Sequence, residues 1–177
     1  MNKCLFLDRD GVINIEKGYV HHREDFEFID GIKKLLTKFK NKNFLIIVIT
    51  NQAGIARGFY NETDFKGLTN WMKIQLGNLI DEVYFCPHHP TEGVGMYKRK
   101  CDCRKPKSGM LKKAKREFNI DFKKSIMVGD KFTDLDAANK VGINKLYLFN
   151  NKSSEKREYS FIRINSFDSI IDDLFKK

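Results

Sequence analysis

Short apolar runs alternating with amphipathic stretches leave few folds open to this chain. Segments 3–7, 44–49, 82–86, 125–128 and 145–149 have strand length and strand composition. Between them, Ile32, Leu35, Leu36 and Phe39 keep a helical spacing, as do Phe65, Leu68, Met72 and Leu79. Asn61 and Ser108 stand where helix N-caps belong. Residues 133–141 read as a further helix ended by Gly142, and 166–175 as a last one. Strand and helix in alternation imply β-α units around a mainly parallel sheet, so the expected class is α/β, a three-layer sandwich. At 177 residues the chain suits one continuous domain, 1–177. Two stretches break the rhythm, 16–28 and 87–107, and long loops inside compact domains are usually functional.

Chemistry enters where the first apolar run stops, at Asp8-Arg9-Asp10-Gly11. Both carboxylates then stand at the carboxyl end of a strand, the edge at which open parallel sheets bind ligands. A carboxylate is a competent nucleophile toward phosphorus, and an acid two residues on can protonate a leaving oxygen. Alone, Asp-x-Asp would more often simply end a strand in a turn. Here it is followed in order by Thr50-Asn51-Gln52, Arg104-Lys105-Pro106 and Gly129-Asp130-Lys131 with Asp134.

The second irregular loop, about 86–107, holds Cys86-Pro87-His88-His89-Pro90 and Cys101-Asp102-Cys103. Thiolates with an imidazole favour zinc, and a tetrahedral Cys₃His set leaves no open position, so the ion would be structural. Cys86, His88, Cys101 and Cys103 are taken as its ligands, with His89 the competing imidazole at that spacing. Cys4 falls inside the first strand and reads as a buried thiol.

A formal charge of +10, from 33 Lys and Arg against 23 acids, suits an anionic ligand. The local concentration Lys98-Arg99-Lys100, with Arg104, Lys105 and Lys107, adjoins the proposed site and favours a small phosphate over a nucleic-acid track. The opening apolar stretch stops at Leu7, too early for a signal peptide. The longest apolar run, 44–49, is far short of the roughly twenty residues that span a bilayer. A cytoplasmic monomer with reduced cysteines, bound to neither nucleic acid nor membrane, is expected.

In these four ordered motifs the chain resembles the phosphatases of the haloacid dehalogenase superfamily. The zinc pattern narrows this to the histidinol-phosphatase-like branch. Within that branch it resembles the D-glycero-D-manno-heptose 1,7-bisphosphate 7-phosphatases almost end to end. Further matches are Gly18-Tyr19-Val20-His21, Phe26-Glu27-Phe28-Ile29-Asp30-Gly31, Ala53-Gly54-Ile55-Ala56-Arg57-Gly58 and Cys103-Arg104-Lys105-Pro106. That family more often has Ser at the position of Ala53, and the chain beyond Phe149 matches less well. The resemblance implies a Rossmann-like sandwich without a large cap domain, carrying a zinc loop. It implies Asp8 as nucleophile, Asp10 as general acid and base, Thr50 and Lys105 on the phosphoryl oxygens, and Mg²⁺ on Asp8, Asp10 through its backbone carbonyl, and Asp130. It implies that Glu16, Gly18, Tyr19, Asn51, Gln52, Ala53, Arg57, Arg104 and Lys131 meet a phosphorylated sugar, in ADP- or GDP-heptose or lipopolysaccharide biosynthesis. Asp134 is expected to orient Lys131 or Lys105.

Three rivals share parts of this pattern: a histidinol-phosphate phosphatase, a polynucleotide 3′-phosphatase and a non-catalytic zinc-stabilised nucleic-acid module. A polynucleotide enzyme would carry an interleaved basic and aromatic stripe, which the sequence lacks. A pure binder has no need of a nucleophile beside an acid.

Overall fold

A computed structural model describes residues 1–176. Its strands are β1 (Cys4–Leu7), β2 (Leu45–Asn51), β3 (Glu82–Cys86), β4 (Ile126–Gly129), β5 (Lys145–Phe149) and β6 (Ile162–Ile164). They form one six-stranded sheet in the order β3-β2-β1-β4-β5-β6, each neighbouring pair parallel. The helices are α1 (Ile32–Lys40), α2 (Ala53–Ala56), α3 (Glu62–Gln75), α4 (Gly109–Phe118), α5 (Phe132–Asn139) and α6 (Phe167–Phe175).

Alternation along β1 explains the three layers. Leu5 and Leu7 join one apolar core with Leu35 and Phe39 of α1, Leu68 and Met72 of α3, and Ile170 of α6. Cys4 and Phe6 join the opposite core with Leu111 of α4 and Leu135 of α5. Both faces of the central strands are therefore covered, which is why they read as unbroken apolar runs. Among the described residues no helix is long and apolar enough to cross a membrane.

The helix ends differ in how they are closed. Asn61 Oδ1 accepts from the Asp64 amide at 3.0 Å while Asp64 Oδ2 accepts from the Asn61 amide at 2.9 Å, a reciprocal cap for α3. Ser108 occupies the N-cap position of α4 but its side chain makes no capping bond, so that expectation holds for place only. β6 and α2 were not expected. β6 is three residues long with two exposed, and α2 has four residues, too few to display a helical period.

The topology sets the site. From β1 the chain builds outward through β2 to β3, then crosses back to lay β4 against the other side of β1. The order reverses between β1 and β4, and the crevice beyond their carboxyl ends is where such sheets bind ligands.

Candidate active site

Asp8 follows the last residue of β1, and its amide donates to Val128 O of β4 at 3.1 Å. Its side chain meets the Lys105 ammonium, with Oδ1 to Nζ at 2.9 Å. The same Nζ lies 2.7 Å from Asp134 Oδ1 and donates to Ile49 O at 2.7 Å. A buried ammonium has three protons to satisfy, and Lys105, 3% exposed, has three acceptors. Burial pulls its pKa down, but Asp134 and Asp8 outweigh that and the net direction is upward. Asn51 anchors the same residue from behind: its Oδ1 accepts from Lys105 N at 3.0 Å and its Nδ2 donates to Lys105 O at 3.1 Å. Asp134 Oδ2 accepts from the Lys131 amide at 3.1 Å at the start of α5, so of the two lysines the sequence suggested it is the Lys105 side chain that Asp134 orients, while Lys131 Nζ faces Glu16 and Asp130.

Asp10 is held by a second set of donors. Arg9 Nη2 donates to its Oδ1 at 2.8 Å, Asn14 Nδ2 to the same oxygen at 3.1 Å, and Gln52 Nε2 to its Oδ2 at 2.9 Å. Arg9 is 1% exposed and its Nη2 also donates to Val20 O at 2.8 Å, tying the acid to the loop that carries Gly18 and Tyr19. Thr50 ends the other side of the pocket, its Oγ1 accepting from Gln52 Nε2 at 2.9 Å. Sequence reasoning missed Arg9, Asn14 and Tyr60. Arg9 had a readable signal, a cation set between two acids that must be buried with them.

Two groups of side chains are suited to metal ions. Ligand atoms of Asp8, Asp130 and Asp134 lie within 4.8 Å of one another, and Asp130 Oδ1 is buried with no hydrogen-bond partner. Burial, then repulsion from Asp134, pushes the Asp130 carboxyl up to about 6. Burial likewise pushes Asp8 up to about 7, with Asp134 and Asp130 adding and Lys105 opposing. Three carboxylates around one buried ammonium, with an orphaned oxygen among them, fit a hard divalent cation that takes oxygen ligands. At Gly11 (φ 84°) a Cβ would collide with the Asp130 carboxylate, so glycine is what allows the β1 loop and Asp130 to share this space.

In the 87–107 loop, Cys86, Cys101 and Cys103 place their sulfurs 3.1–3.5 Å apart, and His88 Nδ1 lies 3.3 Å from Cys103 Sγ. A tetrahedral ion with bonds of about 2.3 Å to sulfur has edges of about 3.8 Å, so this set can hold zinc after a slight expansion. His89 is turned away, its Nδ1 accepting from the Glu92 amide at 2.9 Å. Geometry thus selects His88, which spacing alone did not.

Every catalytic and substrate-binding residue expected from sequence lines one cavity of about 470 Å³, together with Tyr60, His89, Thr133 and Asp134. Lys131 and Glu16 face each other there at 3.5 Å, and Arg104 Nη1 donates to His88 O at 3.2 Å, linking the rim to the thiol cluster. Arg57 pairs with Glu92 at 2.5 Å and lies 5.7 Å from the Tyr19 ring. Tyr19 takes a left-handed backbone (φ 55°) and packs edge-on against Phe59. Asp130 lines the adjoining cavity with Gly11. The Asn51 and Gln52 side chains are engaged within the protein, and the Gln52 amide donates to Cys86 O at 2.8 Å.

Over residues 3–169 the chain matches the family model described as polynucleotide kinase 3 phosphatase. It is 50% identical over 145 residues to the D-glycero-β-D-manno-heptose-1,7-bisphosphate 7-phosphatase of Haemophilus ducreyi, covering 80% of this chain and 79% of that one. It is 49% identical over 164 residues to the D-glycero-α-D-manno-heptose-1,7-bisphosphate 7-phosphatase of Campylobacter jejuni, covering 91% and 88%. In fold it is similar to the D,D-heptose 1,7-bisphosphate phosphatase of B. bronchiseptica, solved with magnesium and phosphate: TM-score 0.84, 24% identity, 98% of each chain covered.

Proposed function

The chain belongs to the haloacid dehalogenase phosphatases, in the branch of the heptose-1,7-bisphosphate 7-phosphatases, and on that premise we propose that it removes the 7-phosphate of D-glycero-D-manno-heptose 1,7-bisphosphate, in ADP- or GDP-heptose biosynthesis. What carries the choice of substrate is identity of about half over most of the chain with enzymes of that name. The geometry supports the chemistry of a phosphoric monoester hydrolase.

Asp8 attacks phosphorus through a carboxylate oxygen, and the bond from phosphorus to the sugar oxygen breaks as an aspartyl-phosphate forms. Asp10 gives its proton to the departing oxygen. As a carboxylate it then takes a proton from the water that attacks the phosphoaspartate, which releases phosphate and restores Asp8. Lys105, fixed by Asn51 and Asp134, gives up its bond to Asp8 as that carboxylate turns to phosphorus and, with Thr50, holds the non-bridging oxygens, where charge stabilisation contributes most. Arg104 and Lys131 meet the second phosphate or a sugar hydroxyl from the rim. Asp8, the Asp10 backbone carbonyl and Asp130 would hold magnesium, which would supply Lewis-acid polarisation and offset the repulsion between two anions. Cys86, His88, Cys101 and Cys103 would hold a structural zinc, which would fix the loop that delivers Arg104 and Lys105.

A substrate panel tests the reading: both anomers of the heptose 1,7-bisphosphate, fructose 1,6-bisphosphate, histidinol phosphate and a 3′-phosphorylated oligonucleotide, each with magnesium. We expect kcat/KM for one heptose anomer to exceed every non-heptose substrate by at least about tenfold. A higher value for histidinol phosphate or the oligonucleotide overturns the substrate, and no release from any of them overturns the activity.

A further inference from the structure

A buried chain of hydrogen bonds enters the site from a residue that no part of the mechanism above uses. Tyr60 is 7% exposed and Gln52 2%. Tyr60 Oη donates to Gln52 Oε1 at 2.5 Å, and Gln52 Nε2 donates both to Asp10 Oδ2 and to Thr50 Oγ1, each at 2.9 Å. The direction of this chain follows from its ends. Asp10 aims its proton at the leaving oxygen as acid and carries none as base, so toward Gln52 it only accepts, and the NH₂ group faces Asp10 and Thr50. The carbonyl is then left facing Tyr60, whose hydroxyl has to be the donor.

The consequence falls on Thr50. Its oxygen already accepts from Gln52, so its single proton is free to be donated, and among the described residues no acceptor takes it. Thr50 lines the catalytic cavity. We propose that Tyr60 is a positioning residue for phosphoryl transfer: acting through Gln52, it fixes the polarity of the chain so that the Thr50 hydroxyl donates into the cavity toward a phosphoryl oxygen while Asp10 is held in place for proton transfer. Donors linked in this way polarise one another, so the terminal hydroxyl gains from every link behind it. This rests on the phosphatase reading above, and it adds a residue that need never touch substrate.

Tyr60→Phe removes one oxygen and keeps the ring, which stacks on His21 at 4.9 Å between centroids. The expected result is a kcat about tenfold lower, the size of one net hydrogen bond, with KM within about twofold. Inhibition by orthovanadate, which resembles the five-coordinate transition state, should weaken by the same factor, while inhibition by inorganic phosphate should stay within about twofold. In a Gln52→Met background, Tyr60→Phe should add less than about twofold, because the link it supplies is already gone. Rates are taken per folded molecule below the melting transition. Should Tyr60→Phe melt too low, Gln52→Met alone, with Tyr60 still in place, carries the same kcat and vanadate test. A kcat within twofold of wild type, equal losses in both backgrounds, or equal weakening of vanadate and phosphate would overturn the proposal. Wild-type protein that releases no phosphate from any monoester fails the phosphatase reading instead, so the two failures are told apart.

Discussion

The two polar centres of this molecule are ordered by different means. At the sheet edge, Asp8 and Asp130 leave the ends of adjacent parallel strands, so the β1–β4 ladder fixes where those carboxylates stand. The 87–107 loop contains one short turn of helix, Gly95–Tyr97, and is held by side chains together with isolated backbone bonds, among them Val94 N to Ala56 O at 2.8 Å. Its anchors are the cysteine and histidine cluster, the Tyr97 hydroxyl on Glu62 at 3.1 Å and the Arg57–Glu92 pair. Order that resides in a backbone ladder survives the loss of one side chain; order that resides in side chains does not. Removing a group at the edge should therefore delete chemistry and spare the fold, whereas removing one in the loop should damage both.

The sharpest way to break this contrast is Asp8→Asn. Phosphate release should drop to background while the circular dichroism spectrum and the zinc content stay those of wild type. Asp10→Asn should cost about two to four orders of magnitude in kcat. Retained turnover in Asp8→Asn rejects the covalent route, and a lost sheet spectrum rejects the claim that the ladder alone places the carboxylate.

The loop makes the opposite case through Cys101→Ser. Cys101 and Cys103 lie just before Arg104 and Lys105, so an unanchored loop misplaces the cations, and an error of about 1 Å can cost on the order of a hundredfold in rate. Stability should fall too. An unchanged rate per folded molecule, measured where the sheet is native, would mean that zinc only tacks down the periphery.

These contrasts were unequally legible in the sequence. Short apolar runs revealed β1 to β5, because buried parallel strands have an unmistakable composition, and the motifs at the ends of several of them revealed the residues that share the cavity. β6 was hidden because two of its three residues are exposed. The choice of His88 over His89 was hidden because adjacent residues differ only in backbone direction, which a spacing rule ignores. Arg9 was marked by its place between two acids, but the role of Tyr60 depends on Gln52 reaching Asp10 from 42 residues away in the chain, and no local pattern encodes that.

A smaller effect concerns the metal-free edge. Unfolded, an aspartate ionises near 4. Folded, burial first and Asp134 next push Asp130 up to about 6. Between about pH 4 and pH 6 the unfolded chain loses a proton that the folded protein keeps, so stability falls as pH rises through that window. Asp130→Asn should thus stabilise the magnesium-free, zinc-loaded protein at pH 8 by on the order of 2 kcal/mol, and the gain should vanish near pH 4. Urea unfolding at the two pH values measures it, and equal stabilities at pH 8 reject the repulsion.

The smallest effects separate the anchors of the loop from one another. Gly93 has φ 128°, and a Cβ there would lie 2.7 Å from Ala56 O, beside the point where the Val94 amide donates to that same oxygen at 2.8 Å. Gly93→Ala should therefore push the loop off α2, costing about 1–2 kcal/mol of stability and raising KM as Arg57 loses its seat. Glu92→Gln removes only a partly exposed ion pair, with side-chain exposures of 30% and 55%, and pairs of that kind contribute about 1 kcal/mol or less. Its kcat/KM should stay within about fivefold of wild type, with the melting temperature unchanged. A larger loss in Glu92→Gln than in Gly93→Ala would show that the ion pair, and not the backbone fit against α2, holds the loop over the cavity.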